Sequence, residues 1–187
     1  CYFGVWADAD LGCYTDDYVG CDVKRGLGYT YNGDEEDEVA CDSKGYGPNP
    51  PAVGIDFFRG PLADKNDKKD NDRDCYIDTT SNGSSCEQII MSGFLYYDNT
   101  NGVPYGNPSG ATHFYNYLII RWGDGVLVTY GGNGYNTGGP LCNFMYPGTP
   151  TTDEHDWGIG GNCSTTPALA GWDEVTAGNT PQDRRML

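Results

Sequence analysis

The sequence predicts a mainly β fold: a loop-rich, antiparallel, sandwich-like domain with one short helix, stapled by disulfides and calcium. Three observations support this prediction. The 187 residues include 28 glycines and 11 prolines, which favour turns over long helices. They also include 15 tyrosines, a residue type enriched in strands, and eight cysteines, a number typical of disulfide-bonded extracellular domains. The length fits a single domain covering 1–187.

Short segments with the β-branched and aromatic composition of strands alternate with turn signals along the chain. The predicted strands are residues 2–6, 26–31, 54–58, 89–97, 127–130 and 184–187. The turns between them include Asn32-Gly33, Asn82-Gly83, Asn101-Gly102 and the glycine-rich 131–134. This alternation is typical of an antiparallel β domain.

One segment has helical periodicity instead. Thr112 can cap a helix that ends at Trp122-Gly123, although a strand over 118–122 is the alternative for its second half. Its apolar side chains fall near helical spacing at Phe114, Tyr117, Leu118 and Ile120.

Charge limits the partners of the chain. The formal net charge is −16 and the sequence pI is about 4.1. Nucleic acid and anionic membrane surfaces are therefore poor partners, whereas cations are favoured. No signal peptide and no apolar run of membrane-spanning length is present in the sequence. Neither end resembles a domain boundary, so we expect a fragment of a longer secreted protein.

The cysteines predict an oxidising location, outside the cell or at its surface. They form no CxxC pair, and the two histidines are distant in sequence, which disfavours zinc. Local loops favour the pairs Cys75–Cys86 and Cys142–Cys163. The remaining four can pair in several ways: Cys1, Cys13, Cys21 and Cys41.

The acidic loop over residues 64–78 predicts a calcium site. Hard oxygen ligands at loop positions 1, 3, 5 and 9, with a carbonyl at position 7, describe a calcium loop. Cys75 replaces the turn glycine and Ser81 the final glutamate of the helix-loop-helix type, so the loop is expected to have a structural role. A solvated acidic loop is the alternative. The predicted ligands are Asp70, Asp72, Asp74, the carbonyl of Tyr76, and Asp78.

Two further acidic groups lie nearer the start of the chain. Gly12 permits a turn that can bring Asp16 and Asp17 back to Asp8 and Asp10, which predicts a second calcium site. A polar strand end with Asx turns is the alternative. The run of five acids at 34–38 is expected to form a solvated turn, although Asp34 and Asp37 could donate to a neighbouring site.

Catalysis has little support in the sequence. No nucleophile elbow, zinc-protease motif or phosphate loop is present. His113 is expected to be a surface or capping group at the helix start, and His155 is a lone histidine among carboxylates. Tyrosine and tryptophan crowd the second half, where most should pack over the sheet and the remainder could bind sugars or proteins.

Several motifs, in the same order and over nearly the whole chain, resemble a region of large secreted Bacteroidetes proteins that carry a C-terminal type IX secretion sorting domain. The resembling motifs are WADADLG at 6–12, DDYVGCD at 16–22, LGYTYNGD at 27–34, YGPNPPAVGIDFFRGP at 46–61, FYNYL at 114–118, WGDG at 122–125, TYGGNG at 129–134, FMYPG at 144–148 and PQDRR at 181–185.

This resemblance implies export to the cell surface or medium and no known catalytic residue. It also implies that the parent sequence continues past 181–185. Asp78-Thr79-Thr80 is similar to the O-glycosylation motif of exported Bacteroidetes proteins, so the resemblance implies a glycan on Thr79.

Together these observations predict a non-enzymatic extracellular domain of a secreted or surface protein, with calcium as its cofactor. We expect it to form a homo-oligomer, filament, sheath or adhesive layer, and to meet glycans. The alternatives are a carbohydrate-binding module or part of a secreted hydrolase.

Overall fold

The structure, a computed structural model, describes residues 2–22, 25–41, 44–57, 60–63, 69, 71, 88–145, 174 and 183–187. These residues form eight strands, one α-helix and one 3-10 turn. In chain order the elements are β1 (Ala7–Asp8), the 3-10 turn (Tyr14–Asp16), β2 (Asp17–Asp22), β3 (Leu27–Asn32), β4 (Glu36–Asp37), β5 (Gly47–Pro48), β6 (Ala52–Asp56), β7 (Tyr96–Asp98), α1 (Ala111–Leu118) and β8 (Arg184–Met186).

The longest strands form the antiparallel sheet β2-β3-β6. β2 and β3 pair from Asp17 opposite Asn32 to Asp22 opposite Leu27, and β6 pairs with the other side of β3. Along β3, buried and half-buried residues alternate with a period of two, as a strand with one face on the core requires. Opposite Tyr29, Gly20 carries no side chain, which lets the tyrosine ring lie across the strand.

Two smaller sheets flank this one. β8 lies between β1 and β7, so that Met186 pairs with Ala7 on one side and Tyr96 on the other. β4 and β5 form a two-residue ladder in which Asp37 pairs with Gly47. The pairing of β1 with β8 joins residues near opposite ends of the chain.

A buried ion group ties β7 and β8 to β2. Arg184 donates from Nε to Glu174 (2.8 Å) and from Nη1 to Asp98, and its guanidinium carbon lies 4.6 Å from the Tyr96 ring centroid. The other carboxylate oxygen of Glu174 accepts a hydrogen bond from the backbone amide of Val19 (2.6 Å). Two carboxylates thus share one buried arginine; Glu174 is fully buried and Asp98 is partly exposed.

The hydrophobic core is rich in aromatic side chains, and most of its residues lie between positions 94 and 145. Trp122 is fully buried, and its indole N–H donates to the carbonyl of Gly134 (2.9 Å). The rings of Tyr96 and Tyr105 meet it edge to face, with centroids 6.3 and 4.9 Å away. Such edge-to-face pairs add to the stabilisation gained from burial alone.

Helix α1 packs one face on this core through Tyr117. The Tyr117 ring stacks on Tyr97, with centroids 4.8 Å apart. Its hydroxyl lies 2.7 Å from the carbonyl oxygen of Gly106 and 2.9 Å from that of Pro104, so the phenol proton has acceptors inside the core.

A left-handed residue ends this helix. Ile120 has a φ of 58°. Its amide donates to the carbonyl of Tyr117 (3.0 Å), and the amide of Arg121 donates to that of Asn116 (2.9 Å). These two bonds form a Schellman motif, which usually has glycine at the left-handed position. The prediction of a helix reaching Trp122-Gly123 is therefore wrong, and Thr112 lies inside the helix rather than at its cap, which is Gly110.

Three predicted strands are present with ends shifted by one or two residues. The segment predicted at 26–31 is β3, that at 54–58 is β6, and that at 184–187 is β8. Residues 2–6 are irregular and lead into β1, so the strand predicted there is wrong. Only the end of 89–97 is a strand, β7, and 127–130 forms isolated bridges. β2 was not predicted, because its acidic and glycine residues mask the alternation of its buried Val19 and Cys21.

The predicted fold class is confirmed: the described chain is mainly β and antiparallel, rich in loops, with one short helix and a disulfide. In the part of the chain that the structure describes, no helix has the length and apolar character needed to cross a membrane.

Candidate metal centre

Four carboxylates meet at the end of the β2–β3 hairpin: Asp16, Asp17, Asp37 and Glu38, called the acidic cluster below. Asp16 ends the 3-10 turn and Asp17 opens β2, whereas Asp37 ends β4 and Glu38 follows it. The amide of Gly33 donates to the carbonyl of Asp16 (2.7 Å), which brings the chain after β3 back to Asp16. Side chains about twenty positions apart in sequence thereby become neighbours.

The spacing within the cluster suits one cation. Asp16, Asp37 and Glu38 each offer a carboxylate oxygen within 4.8 Å of the others, and Cys13 Sγ lies within the same distance. Two oxygens bound to one Ca²⁺ are at most about 5 Å apart, twice the calcium–oxygen distance. The three carboxylates therefore meet the spacing required of calcium ligands.

Asp37 is held in place by the backbone around it. It is fully buried, and its two oxygens accept hydrogen bonds from the amides of Cys13 (2.7 Å) and Tyr46 (2.6 Å). A Cβ on Gly12 would lie 1.8 Å from one Asp37 oxygen, and a Cβ on Gly45 would lie 2.5 Å from the other. Both glycines are needed for the backbone to approach this carboxylate so closely.

Asp16 and Asp17 are less well satisfied. Asp17 is 1% exposed, and one of its oxygens accepts from the amide of Leu11 (3.0 Å) while the other has no partner among the described residues. Burial raises the pKa of Asp17 to about 7, and the charges of Asp16 and Asp37 add to that rise. Both Asp16 oxygens are shielded without a hydrogen-bond partner in the described chain, and burial, then Glu38, raises the pKa of Asp16.

A disulfide braces this cluster. Cys13 and Cys41 are bonded across 28 positions, with their Cα atoms 5.5 Å apart. Cys13 lies three residues before Asp16, and Cys41 three residues after Glu38. The predicted disulfide bonding of Cys13 and Cys41 is confirmed, and it ties together the two segments that carry the carboxylates.

Two other cysteines do not match their prediction. Cys21 and Cys142 are buried free thiols in the hydrophobic core, and burial raises the pKa of Cys142 to about 12. Their S–H groups donate to the carbonyls of Met145 and Phe144 respectively. Their predicted disulfides are thus wrong, because both sulfurs serve as small core side chains. The remaining four lie outside the described residues: Cys1, Cys75, Cys86 and Cys163.

The four residues of the second predicted calcium site lie in two separate groups. Asp8 and Asp10 lie with Asp183 in a separate group whose oxygens approach within 4.8 Å. Arg185 donates to Asp8 (2.9 Å) and to Asp183 (2.7 Å), so this group already contains a cation. Of the four predicted ligands, Asp16 and Asp17 belong to the acidic cluster and the other two do not.

The acids of the run 34–38 also differ in their surroundings. Asp34 is exposed and accepts a hydrogen bond from the amide of Glu36 (2.8 Å), as the predicted solvated turn requires. Asp37 is fully buried, so a solvated turn is wrong for it. Glu38, which was not proposed as a ligand from the sequence, is the exposed member of the cluster.

Several predictions fall outside the described residues. They concern the calcium ligands of the 64–78 loop, the glycan site and the second histidine: Asp70, Asp72, Asp74, Tyr76, Asp78, Thr79 and His155.

His113 and the aromatic side chains have structural positions. His113 is 5% exposed, so a surface position is wrong for it; its Nδ1 accepts a hydrogen bond from the amide of Ser109 (3.3 Å). Tyr135 donates to Asp124 (2.7 Å), and its ring meets those of Tyr105 and Trp122. These aromatics therefore pack against one another, as predicted for most of them.

An apolar cavity of about 140 Å³ lies between the N-terminal segment, the sheet β2-β3-β6 and the chain before β7. Phe3, Phe57 and Leu118 contribute to its wall, and Ser92 is the one polar side chain among the described residues that line it. The cavity therefore lacks acid–base groups within the described part of its wall.

The chain was compared with protein-family models, curated proteins and solved structures, and none of them matched.

Proposed function

We propose that the chain is a non-enzymatic extracellular domain of a secreted or surface protein, and that calcium and disulfides stabilise its β fold. The acidic cluster is the observation that carries this proposal. Its carboxylates lie close together, three oxygens of Asp16 and Asp17 have no partner among the described residues, and burial raises the pKa of both Asp16 and Asp17. Such a group repels itself unless a cation neutralises it.

The Cys13–Cys41 disulfide supports the extracellular part of the proposal. Disulfides persist in oxidising compartments, and this one is placed where it holds loops together rather than where a catalytic thiol would be needed. The resemblance to exported Bacteroidetes proteins points the same way and stays a prediction.

Thermal unfolding of the chelator-treated chain, with and without added calcium, tests the proposal. An ion that binds only the folded state adds stability of about 2.7 kcal/mol at one hundred times its Kd. We therefore expect the Tm to rise by several degrees in calcium and less in magnesium, which prefers small octahedral sites. An unchanged Tm together with no calcium uptake at equilibrium dialysis would contradict the proposal.

We also propose that copies of the chain assemble, as a filament-, sheath- or layer-forming protein does. Along the described residues, β6 pairs on one side only, and Val53 in it is 40% exposed. Unpaired sheet edges are templates for strand addition. Sedimentation velocity in calcium should show species larger than a monomer, and Val53→Lys should shift them toward monomer; monomers alone at high concentration would speak against assembly.

A further inference from the structure

We infer that a single calcium ion binds at the end of the β2–β3 hairpin, held by the carboxylates of Asp16, Asp37 and Glu38, with side-chain oxygens of Asp17 and Asn32 completing its shell. This inference rests on the proposed role of calcium and assigns the ligands of one site.

Unsatisfied oxygens are concentrated at this place. Six buried side-chain nitrogen or oxygen atoms lack a hydrogen-bond partner among the described residues, and four of them belong to Asp16, Asp17 and Asn32. Buried polar atoms are nearly always paired, and exceptions often mark an ion or water. A cation at the hairpin end accounts for all four.

Asn32 is an independent indication of a ligand, because it is neither acidic nor part of the cluster's charge. It is 8% exposed, and its side-chain nitrogen donates to the carbonyls of Asp34 and Glu36, both at 3.2 Å. Since those partners only accept, the amide nitrogen must face them, and the amide oxygen faces elsewhere without a partner. Asn32 pairs directly with Asp17, so the two side chains share one face of the sheet.

The donor set selects a hard cation. All five candidate ligands supply oxygen, and the nearby Cys13 sulfur is bonded to Cys41, so no thiolate is available for zinc. Calcium takes six to eight oxygens, a number that two Asp16 oxygens and at least one from each of the other four side chains can supply. No salt bridge to a described lysine or arginine neutralises the four carboxylates.

The site is accessible from solvent, and its ligands are held in place by the surrounding backbone. Glu38 is exposed, so an ion can reach the cluster from solvent. Asp37 is fixed by the amides of Cys13 and Tyr46, and each of its oxygens keeps a second lone pair for an ion. The disulfide holds the two halves of the ligand set together.

Calcium titration of the full 187-residue chain and of two variants tests the assignment, with terbium as a luminescent calcium probe excited through Tyr14 in the adjoining 3-10 turn. Asp16→Asn and Glu38→Gln should each weaken calcium binding at this site at least about tenfold, because affinity follows ligand charge. Asp34→Asn removes the same charge from an exposed neighbour and should change the affinity less than about twofold.

A second measurement separates a ligand from a merely structural residue. In calcium-free buffer Asp16→Asn should unfold at the same temperature as the unaltered chain or higher, because it removes an uncompensated carboxylate; in calcium it should unfold at a lower temperature. A lower Tm in both buffers would overturn the assignment. Calcium uptake that persists in both variants but is lost in Asp72→Asn would place the ion elsewhere and leave the proposed function standing. No uptake by the unaltered chain would overturn both.

Discussion

The acidic cluster and the aromatic core differ in how their buried polar atoms are satisfied. In the core the Trp122 indole and the Tyr117 hydroxyl both reach backbone carbonyls. Among the described residues, His113 Nε2 beside the core and Thr30 Oγ1 on β3 are buried without a partner. In the cluster, by contrast, three oxygens of Asp16 and Asp17 are buried without a donor among the described residues. The large polar side chains of the core are thus paired within the protein, whereas the cluster leaves oxygens available for the cation that we propose.

This difference separates two sources of stability. Apolar burial and internal hydrogen bonds in the core depend little on the ions in solution. The cluster places like charges close together and partly shielded from water, so on the proposed calcium binding its contribution to stability should change sign with calcium. Variants in the two regions should therefore respond differently to chelator.

The largest expected effect is in the aromatic core. Trp122→Ala removes a fully buried indole and its hydrogen bond to Gly134, and it should lower the free energy of unfolding by about 3–5 kcal/mol. The loss of stability should be equal with calcium and with chelator, because the described ring contacts and hydrogen bond of Trp122 involve no residue of the acidic cluster. Urea unfolding in both buffers measures it.

Phe114→Ala is the matched control for this prediction. Phe114 is 59% exposed on α1, so its truncation should change stability by no more than about 0.5 kcal/mol. A Trp122→Ala loss that disappears in calcium would show that the two regions are not independent.

The disulfide should show the next largest effect. Replacing both Cys13 and Cys41 by alanine should lower the free energy of unfolding by about 2–4 kcal/mol, since the bond closes a long loop. It should also weaken calcium binding, because the bond joins the segments that carry Asp16 and Glu38. Unfolding and calcium titration of the double variant measure the two effects.

Cys142→Ala is the control, because it removes a buried thiol from the aromatic core. It should lower stability without changing calcium affinity. Equal calcium affinity in the disulfide-free double variant would contradict the coupling between the bond and the cluster.

The sequence predicts local features of both regions better than their long-range contacts. Spacing placed Asp16 and Asp17 among the candidate ligands, and composition predicted the β class that the structure shows. Asp37 was named only as a possible donor to a neighbouring site and Glu38 was not named at all, because five adjacent acids have the pattern of a solvated turn. What buries Asp37 is the approach of two glycine-containing backbone segments, Gly12 and Gly45, which no local periodicity reveals.

The fold shows the same limit. The terminal strand β8 was predicted from its own residues, but its position between β1 and β7 depends on contacts across the whole chain. β2 was missed because its sequence is acidic at both ends and contains Gly20. The helix end was misplaced because an isoleucine, rather than glycine, takes the left-handed position.

The smallest expected effect lies at the junction of the two regions, where Glu174 contacts Val19 of β2 and Arg184 of β8. Burial outweighs the arginine and raises the pKa of Glu174 from 4.5 to about 7. The folded state therefore binds this proton more tightly than the unfolded state does. Its stabilising effect is complete below pH 4.5, falls as the pH rises toward 7, and is lost above that.

Glu174→Gln mimics the protonated acid at every pH, so it tests that sign directly. Relative to the unaltered chain, the variant should gain up to about 3 kcal/mol of stability between pH 5 and pH 8, the free-energy equivalent of the pKa change. Urea unfolding at several pH values in constant calcium measures it, and Asp34→Asn, at an exposed position, should show no such slope. A stability difference that does not vary with pH would mean that Arg184 keeps Glu174 ionised throughout, and that the junction, unlike the acidic cluster, already contains all the positive charge it needs.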